Sequence, residues 1–351
     1  MDIRNEYLPV LLFLQPRATT PNTIHKEELR FYSNLSLTND SLVSKNYPAN
    51  GSYYSEKIII YKFLERYDLK PTERIITAEL LQYGHLEKQY RTVIDLEYLH
   101  FVNRWSYGLT DLLELGVQVS GFSFNSGIFD HTINVYHSMV GIYTGKEELP
   151  NNKFKYSLSD DRKVFLSSKP RTNLGDSVIS TKWKLFNNKN SGLQFALLSS
   201  LKIPTGNKSL SMSSGKPDFS FGFAFGYNKG NWTQFLNCSA IYVSDPFKNS
   251  KVKTNHYGIV SYTLLYKWNY RFSILSQLDV HNSPYNSFTP YLNEPSLMFS
   301  MGINWKAFEN SILQSGFSED LTTYPVPDIT IFLNWKMKIS ISSNYFSPDK
   351  I

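Results

Sequence analysis

Pro217-Asp218-Phe219-Ser220-Phe221-Gly222-Phe223-Ala224-Phe225-Gly226-Tyr227-Asn228 places an aromatic ring at every second residue, with small or polar side chains between. Successive side chains of a β-strand point to opposite faces, so Phe219, Phe221, Phe223, Phe225 and Tyr227 share one face. Asp218, Ser220, Gly222, Ala224, Gly226 and Asn228 share the other. A soluble sheet seldom sets a row of aromatics opposite almost nothing bulky. A strand of a membrane barrel does, because one face meets lipid and the other a wet lumen.

The same period-two pattern, bounded by turn residues, recurs at 28–38, 91–106, 111–122, 176–187, 192–203, 217–228, 232–243, 256–268, 271–281, 295–307, 311–320 and 327–340. Leu297, Phe299, Met301, Ile303 and Trp305 line one such strand, and Ile329, Ile331, Leu333, Trp335, Met337 and Ile339 the last. Alternation is poor at 91–106 and 232–243. The pattern predicts an all-β fold, a transmembrane antiparallel up-and-down barrel of about twelve strands. A further hairpin within 56–83 would make fourteen. Residues 1–351 read as a single barrel domain, with 40–90 an external-loop insertion and 123–175 a long loop carrying a short helix near 128–141. Connections alternate short and long throughout, which predicts short periplasmic turns, long external loops and both termini on the periplasmic side. All six tryptophans, Trp105, Trp183, Trp232, Trp268, Trp305 and Trp335, fall toward the short-turn ends and form an expected interface girdle.

Composition agrees. The chain is 41% hydrophobic, 15% aromatic and only 19% charged, and its mean hydropathy is below zero. No apolar run approaches the roughly 20 residues of a membrane helix. The single cysteine, Cys238, rules out an internal disulfide. The start, Met1-Asp2-Ile3-Arg4-Asn5-Glu6, is no basic signal region, and the apolar residues 7–14 are short and interrupted by Pro9. An outer-membrane location therefore implies that a signal peptide is missing from the sequence as given.

Chemistry is sparse. The seven histidines show no metalloprotease spacing and one cysteine makes no zinc cluster, so no metal and no cofactor is expected. Gly206-Asn207-Lys208-Ser209 and Gly215-Lys216-Pro217 are not phosphate loops and read as external turns. Asp279 and His281 share an inward face and resemble an orienter and a base, but no nucleophile elbow accompanies them. They read as lumen polars, and no catalytic residue is assigned. Lys182, Lys184, Lys267, Lys306, Lys336 and Lys338 all have inward parity near the short turns, and with a net charge of +6 they predict a cationic vestibule. Arg271, Gln277 and Asp279 would line the path. No stacking aromatics accompany the lysines, so nucleic acid is not a partner.

Several phrases resemble a family of Gram-negative outer-membrane proteins known as domain of unknown function 3187. They are Ile3-Arg4-Asn5 with Pro9, Tyr107-Gly108-Leu109-Thr110-Asp111 leading to Glu114-Leu115-Gly116-Val117, and Leu201-Lys202-Ile203-Pro204-Thr205-Gly206. Others are Ser214-Gly215-Lys216-Pro217-Asp218, Gln277-Leu278-Asp279 with Ser283-Pro284-Tyr285, and Ser318-Glu319-Asp320 with Pro327-Asp328-Ile329-Thr330. The resemblance marks Lys202, Pro204, Thr205, Gly206, Ser214, Gly215 and Asp218 as a family-motif loop. It implies an outer-membrane barrel with no assigned activity.

The expected function is a passive channel or uptake protein for small solutes with a weak anion preference. A non-conducting barrel whose loops bind a partner or lipopolysaccharide is the alternative, and a lipid-modifying enzyme a third. Expected partners are outer-membrane lipids and lipopolysaccharide, small solutes and the barrel-assembly machinery.

Overall fold

A computed structural model describes residues 4–45, 91–125, 154–159, 164–188, 190–247, 252–287, 290–322 and 329–340, with Gly127, Val135 and Pro327 besides. Twelve strands form the barrel: β1 Glu28–Lys45, β2 Arg91–Gly108, β3 Leu113–Asn125, β4 Ser177–Asn188, β5 Leu193–Ile203, β6 Asp218–Lys229, β7 Trp232–Tyr242, β8 Tyr257–Lys267, β9 Phe272–His281, β10 Ser296–Phe308, β11 Ser311–Asp320 and β12 Ile329–Ser340. Each pairs antiparallel with its sequence neighbours, and β12 closes on β1 from Glu28↔Ser340 to Asn39↔Ile329. Closure removes the free edges that an open sheet would leave.

All twelve expected strands are present. The predicted helix over 128–141, save the lone Val135, and the optional hairpin within 56–83 lie outside the described residues. β1 is longer than its sequence pattern indicated and stays paired with β2 as far as Lys45↔Arg91. The loop from 123 to 175 also contributes strands: Lys155–Ser159 pairs with β2, Val164–Ser167 with that segment, and Thr172–Leu174 with β3. These additions cover the long-loop end of β2, where Ile94, Asp95, Leu96, Glu97 and Tyr98 are all buried. That explains its poor alternation, since both faces of the strand are packed there.

The outer surface carries the apolar set. Phe219, Phe221, Phe223 and Phe225 are 39–53% exposed, while Asp218 and Ser220 on the other face are 2% exposed. The tryptophans, 40–67% exposed, all stand toward the short-turn rim. Short turns are sharpened where geometry demands glycine. Gly192 adopts φ +73°, and a Cβ there would lie 2.1 Å from the Asn228 carbonyl oxygen. Among the described residues no helix is long and apolar enough to cross a membrane.

The apolar belt yields a prediction. Phe223→Arg would place a cation where lipid is expected and should cost about 2–4 kcal/mol of barrel stability, read by urea titration in phospholipid vesicles. A change below about 0.5 kcal/mol would mean that this face does not meet hydrocarbon.

Candidate functional site in the barrel lumen

Residues 4–27 do not trail from the barrel; they run through it. Tyr7, Leu8, Val10, Leu12, Phe13, Leu14, Ala18 and Ile24 are each at most 2% exposed. The segment makes one helical turn, Leu8–Leu11, with Pro9 in the first turn where its missing N–H costs nothing. Beyond that turn it lacks regular structure, so most of its peptide groups need partners from elsewhere. The wall supplies several of them as side chains.

At the long-loop end Arg4, Asn5 and Glu6 meet the strands. Glu6 Oε2 lies 2.6 Å from His100 Nδ1, and Arg4 Nη2 lies 2.8 Å from His100 Nε2. This suits a neutral imidazole donating from Nδ1 and accepting at Nε2. The ring is stacked on Phe122, with centroids 4.3 Å apart. Asn5 Nδ2 is 2.8 Å from His281 Nε2. Tyr257 and Tyr285 donate their hydroxyls to the Leu14 and Pro9 carbonyls at 2.6 and 2.7 Å. Around these contacts Tyr7, Leu8, Val10, Leu12, Phe13 and Leu14 join Tyr98, Phe122, Phe124, Tyr257 and Ile259 in one apolar cluster. Half the lumen is thus packed like a protein core.

A buried ionic cluster grips the middle. Lys202 Nζ lies 2.7 Å from Asp218 Oδ2 and 3.4 Å from Asp176 Oδ2, the second contact an ion pair rather than a hydrogen bond. It also donates to Ser214 Oγ at 2.8 Å and to the Leu12 carbonyl. Asp218 in turn accepts from the Leu14 and Ser244 amides at 3.0 and 3.1 Å. Asp176 accepts from Gly206 N at 3.0 Å, which ties the Lys-Ile-Pro-Thr-Gly loop to the same cluster. Of the residues in the family-motif loop, Lys202 and Asp218 thus touch the lumen segment directly, Ser214 through Lys202 and Gly206 through Asp176.

Toward the short turns Thr19 N donates to Asn237 Oδ1 at 3.1 Å. Lys182 pairs with Glu114 at 3.1 Å and donates to the Asn22 carbonyl at 3.0 Å, while Ile24 N donates to Glu114 at 3.1 Å. The segment leaves the lumen at Asp111. There the Lys26 amide above all, with help from the His25 ring, holds the carboxyl below its ordinary value. Glu27 then turns into β1 at φ +63°, an unusual backbone for a side chain of this size.

The predicted vestibule is only partly as expected. Lys182 is buried and neutralised by Glu114, and Lys338 pairs with Glu28 at 2.6 Å, so neither presents a free charge. Lys267 and Lys306 stand exposed at the rim and Lys184 is half-buried. Lys336 faces the Tyr32 ring at 5.6 Å. Arg271 is a correction: it lies in the turn before β9, exposed beside Tyr270, rather than in the lumen. Gln277 and Asp279 are inward and buried, with Gln277 Nε2 donating to Asp279 at 2.6 Å. Asp279 is engaged by Ser261 and Gln277, and His281 by Asn5 and the Asn282 carbonyl, so the two do not form a dyad. Among the described residues no cluster of three or more histidine, cysteine or acidic groups is arranged to hold a metal. Sequence reading missed Arg4, Glu6, His100, Glu114 and Asn237 as lumen contacts. The available signal was the bulk of inward residues such as Tyr98, Phe122 and Tyr257, which a water-filled lumen would not favour.

Removing one partner of a buried ion cluster leaves the others uncompensated. Lys202→Met should therefore cost roughly 3–5 kcal/mol in denaturant titration. A cost under about 1 kcal/mol would show that the ion cluster is not a stabilising contact.

Comparison with known proteins agrees with this architecture. The model of a family described as protein of unknown function (DUF3187) matches residues 82–339, which leaves the lumen segment outside the match. No curated protein matches. Among solved structures, a COG4313 outer membrane channel from Pseudomonas putida F1 is similar at TM-score 0.56 and 13% identity, over 93% of this chain and all of that one. The Ralstonia pickettii toluene transporter TbuX aligns at TM-score 0.40 and 9% identity, over 91% of this chain and 92% of that one.

Proposed function

The chain belongs to the DUF3187 family, and from that membership and the occupied lumen we propose that it is an outer-membrane channel for small solutes, closed at rest by residues 4–27. The observation that carries this reading is how the segment is held. Its peptides are met by discrete side chains, Asp218, Asn237, Glu114, Lys182 and Lys202, and not by a strand ladder. Its withdrawal would break these side-chain contacts but none of the strand-to-strand pairing that closes the barrel. The apolar belt and rim tryptophans suit residence among outer-membrane lipids and lipopolysaccharide after insertion by the assembly machinery. The similar COG4313 barrel is itself described as an outer membrane channel. A weak anion preference would rest on Lys267 and Lys306, reinforced by Lys184 at the rim and by Lys336 beside Tyr32; Lys182 and Lys338, each matched to a glutamate, contribute little. No catalytic role is assigned to Asp279 or His281.

The second reading is a permanently closed barrel that works through its external loops. The core-like packing of the long-loop half favours it.

Planar-bilayer recording separates the two. The full chain should insert with rare or small openings, and a variant lacking residues 4–23 should show frequent discrete steps. Where that deletion fails to insert, the point variant Lys202→Met should raise open probability instead. Lys267→Glu, Lys306→Glu and Lys336→Glu together should shift the reversal potential toward cations. Inserted variants that never conduct would sink the channel reading and leave the closed barrel.

A further inference from the structure

Arg17 is a buried cation of the lumen segment for which the described residues provide no hydrogen-bond acceptor. It is 8% exposed, yet Nε, Nη1 and Nη2 are all buried with no hydrogen-bond partner among the described residues. Gln15, two residues earlier and 6% exposed, has its Nε2 in the same condition. A guanidinium carries five N–H donors, and burying it unpaired is costly. Around the Tyr32 ring it meets more positive charge. Arg17, Arg104 and Lys336 stand 5.7, 5.8 and 5.6 Å from the centroid of one ring, Tyr32. Arg104 and Lys336 arrive there by register, directly opposite Tyr32 on β2 and β12. One aromatic face offers each cation about 0.5–2 kcal/mol and accepts none of their N–H bonds in the plane of the guanidinium.

The nearby carboxylates are already engaged. Glu114 is paired with Lys182 and accepts from Ile24 N, and Glu6 is held by His100 and Arg4. Arg17 and Arg104 both line a cavity of about 70 Å³, with Gln15, Gln118, Ser200 and Ser220 among the other walls. Since on the order of 10–15 Å³ suffices for one water, this space holds several waters or one small ion. Its lining is rich in N–H and O–H donors and carries more positive than negative charge.

We propose that this cavity is a binding site for a small oxyanion, a carboxylate or phosphate, held by the Arg17 fork with Arg104 and the Gln15 amide. Guanidinium and oxyanion match in planar, two-bond geometry, which a chloride ion cannot reproduce. The inference deepens the channel reading by naming the solute class, and it gives the lumen segment a part in recognition as well as closure. Arg17 belongs to the moving piece and Arg104 to the wall, so a bound oxyanion bridges the two.

The test is calorimetric titration of the folded full chain in detergent with sodium phosphate and, separately, sodium acetate, against sodium chloride at matched ionic strength. Saturable binding of one equivalent of either oxyanion is expected, with affinity at least tenfold weaker in Arg17→Gln and partly kept in Arg17→Lys. Phosphate alone would identify a tetrahedral headgroup, acetate alone a carboxylate. Arg17→Gln removes an unpaired charge and should fold, which retarded heat-modifiable migration on gels will check. Binding of neither oxyanion, or equal affinity in Arg17→Gln and wild type, would overturn the site. The channel reading fails separately, through absence of conductance in the plug-deleted barrel.

Discussion

Peptide groups taken out of water must find partners, and residues 4–27 bring a run of them into a lumen that offers no free strand edge. Several of the barrel's inward side chains answer that constraint. Asp218 takes the Leu14 amide, Asn237 the Thr19 amide and Glu114 the Ile24 amide, while Lys202, Tyr257, Tyr285 and Lys182 take carbonyls. Because these partners are charged or strongly polar and buried, they need further partners of their own. Hence Lys202 is shared between Asp218 and Asp176, and Lys182 is matched to Glu114.

The lumen is divided by this arrangement. Toward the long loops, apolar side chains of the segment meet inward aromatics and the space is closed as in a soluble core. Toward the short turns the lining becomes polar and basic, and a cavity persists beside Arg17. A solute entering from the long-loop side would meet the packed half first. In the proposed channel, opening would therefore concern the segment around Leu8–Leu14 and its contacts at Lys202, not the belt of strands.

Most of the fold was legible because the membrane imposes a period of two on every strand. Phe219 to Tyr227 announce their faces without any tertiary knowledge, and the parity of turns and tryptophans confirms the direction of each strand. The lumen segment was not legible for a related reason. Residues 7–14 are apolar and aperiodic, so they look like a leader fragment; nothing local says that their partners lie some 200 residues away at Asp218 and Tyr257. The lysines were read by parity alone, which fixes the side of the wall but not the company kept there. Lys182 faces inward as expected, but its charge is spent on Glu114. The phrases that carried the family resemblance fared better. Asp111, Glu114, Lys202, Asp218 and Tyr285 all touch the segment or its exit, a connection invisible until the chain is folded, whereas Arg4 and Asn5 belong to the segment itself and lie outside the family match.

Residues 4–24 sit inside the folded barrel. Hydrogen exchange of the full chain in detergent micelles, read by mass spectrometry on peptides from this segment, tests this placement most directly. Protection approaching that of the strands is expected, strongest across Leu8–Leu14. Exchange at the rate of an unstructured chain, with the strands still protected, would contradict it.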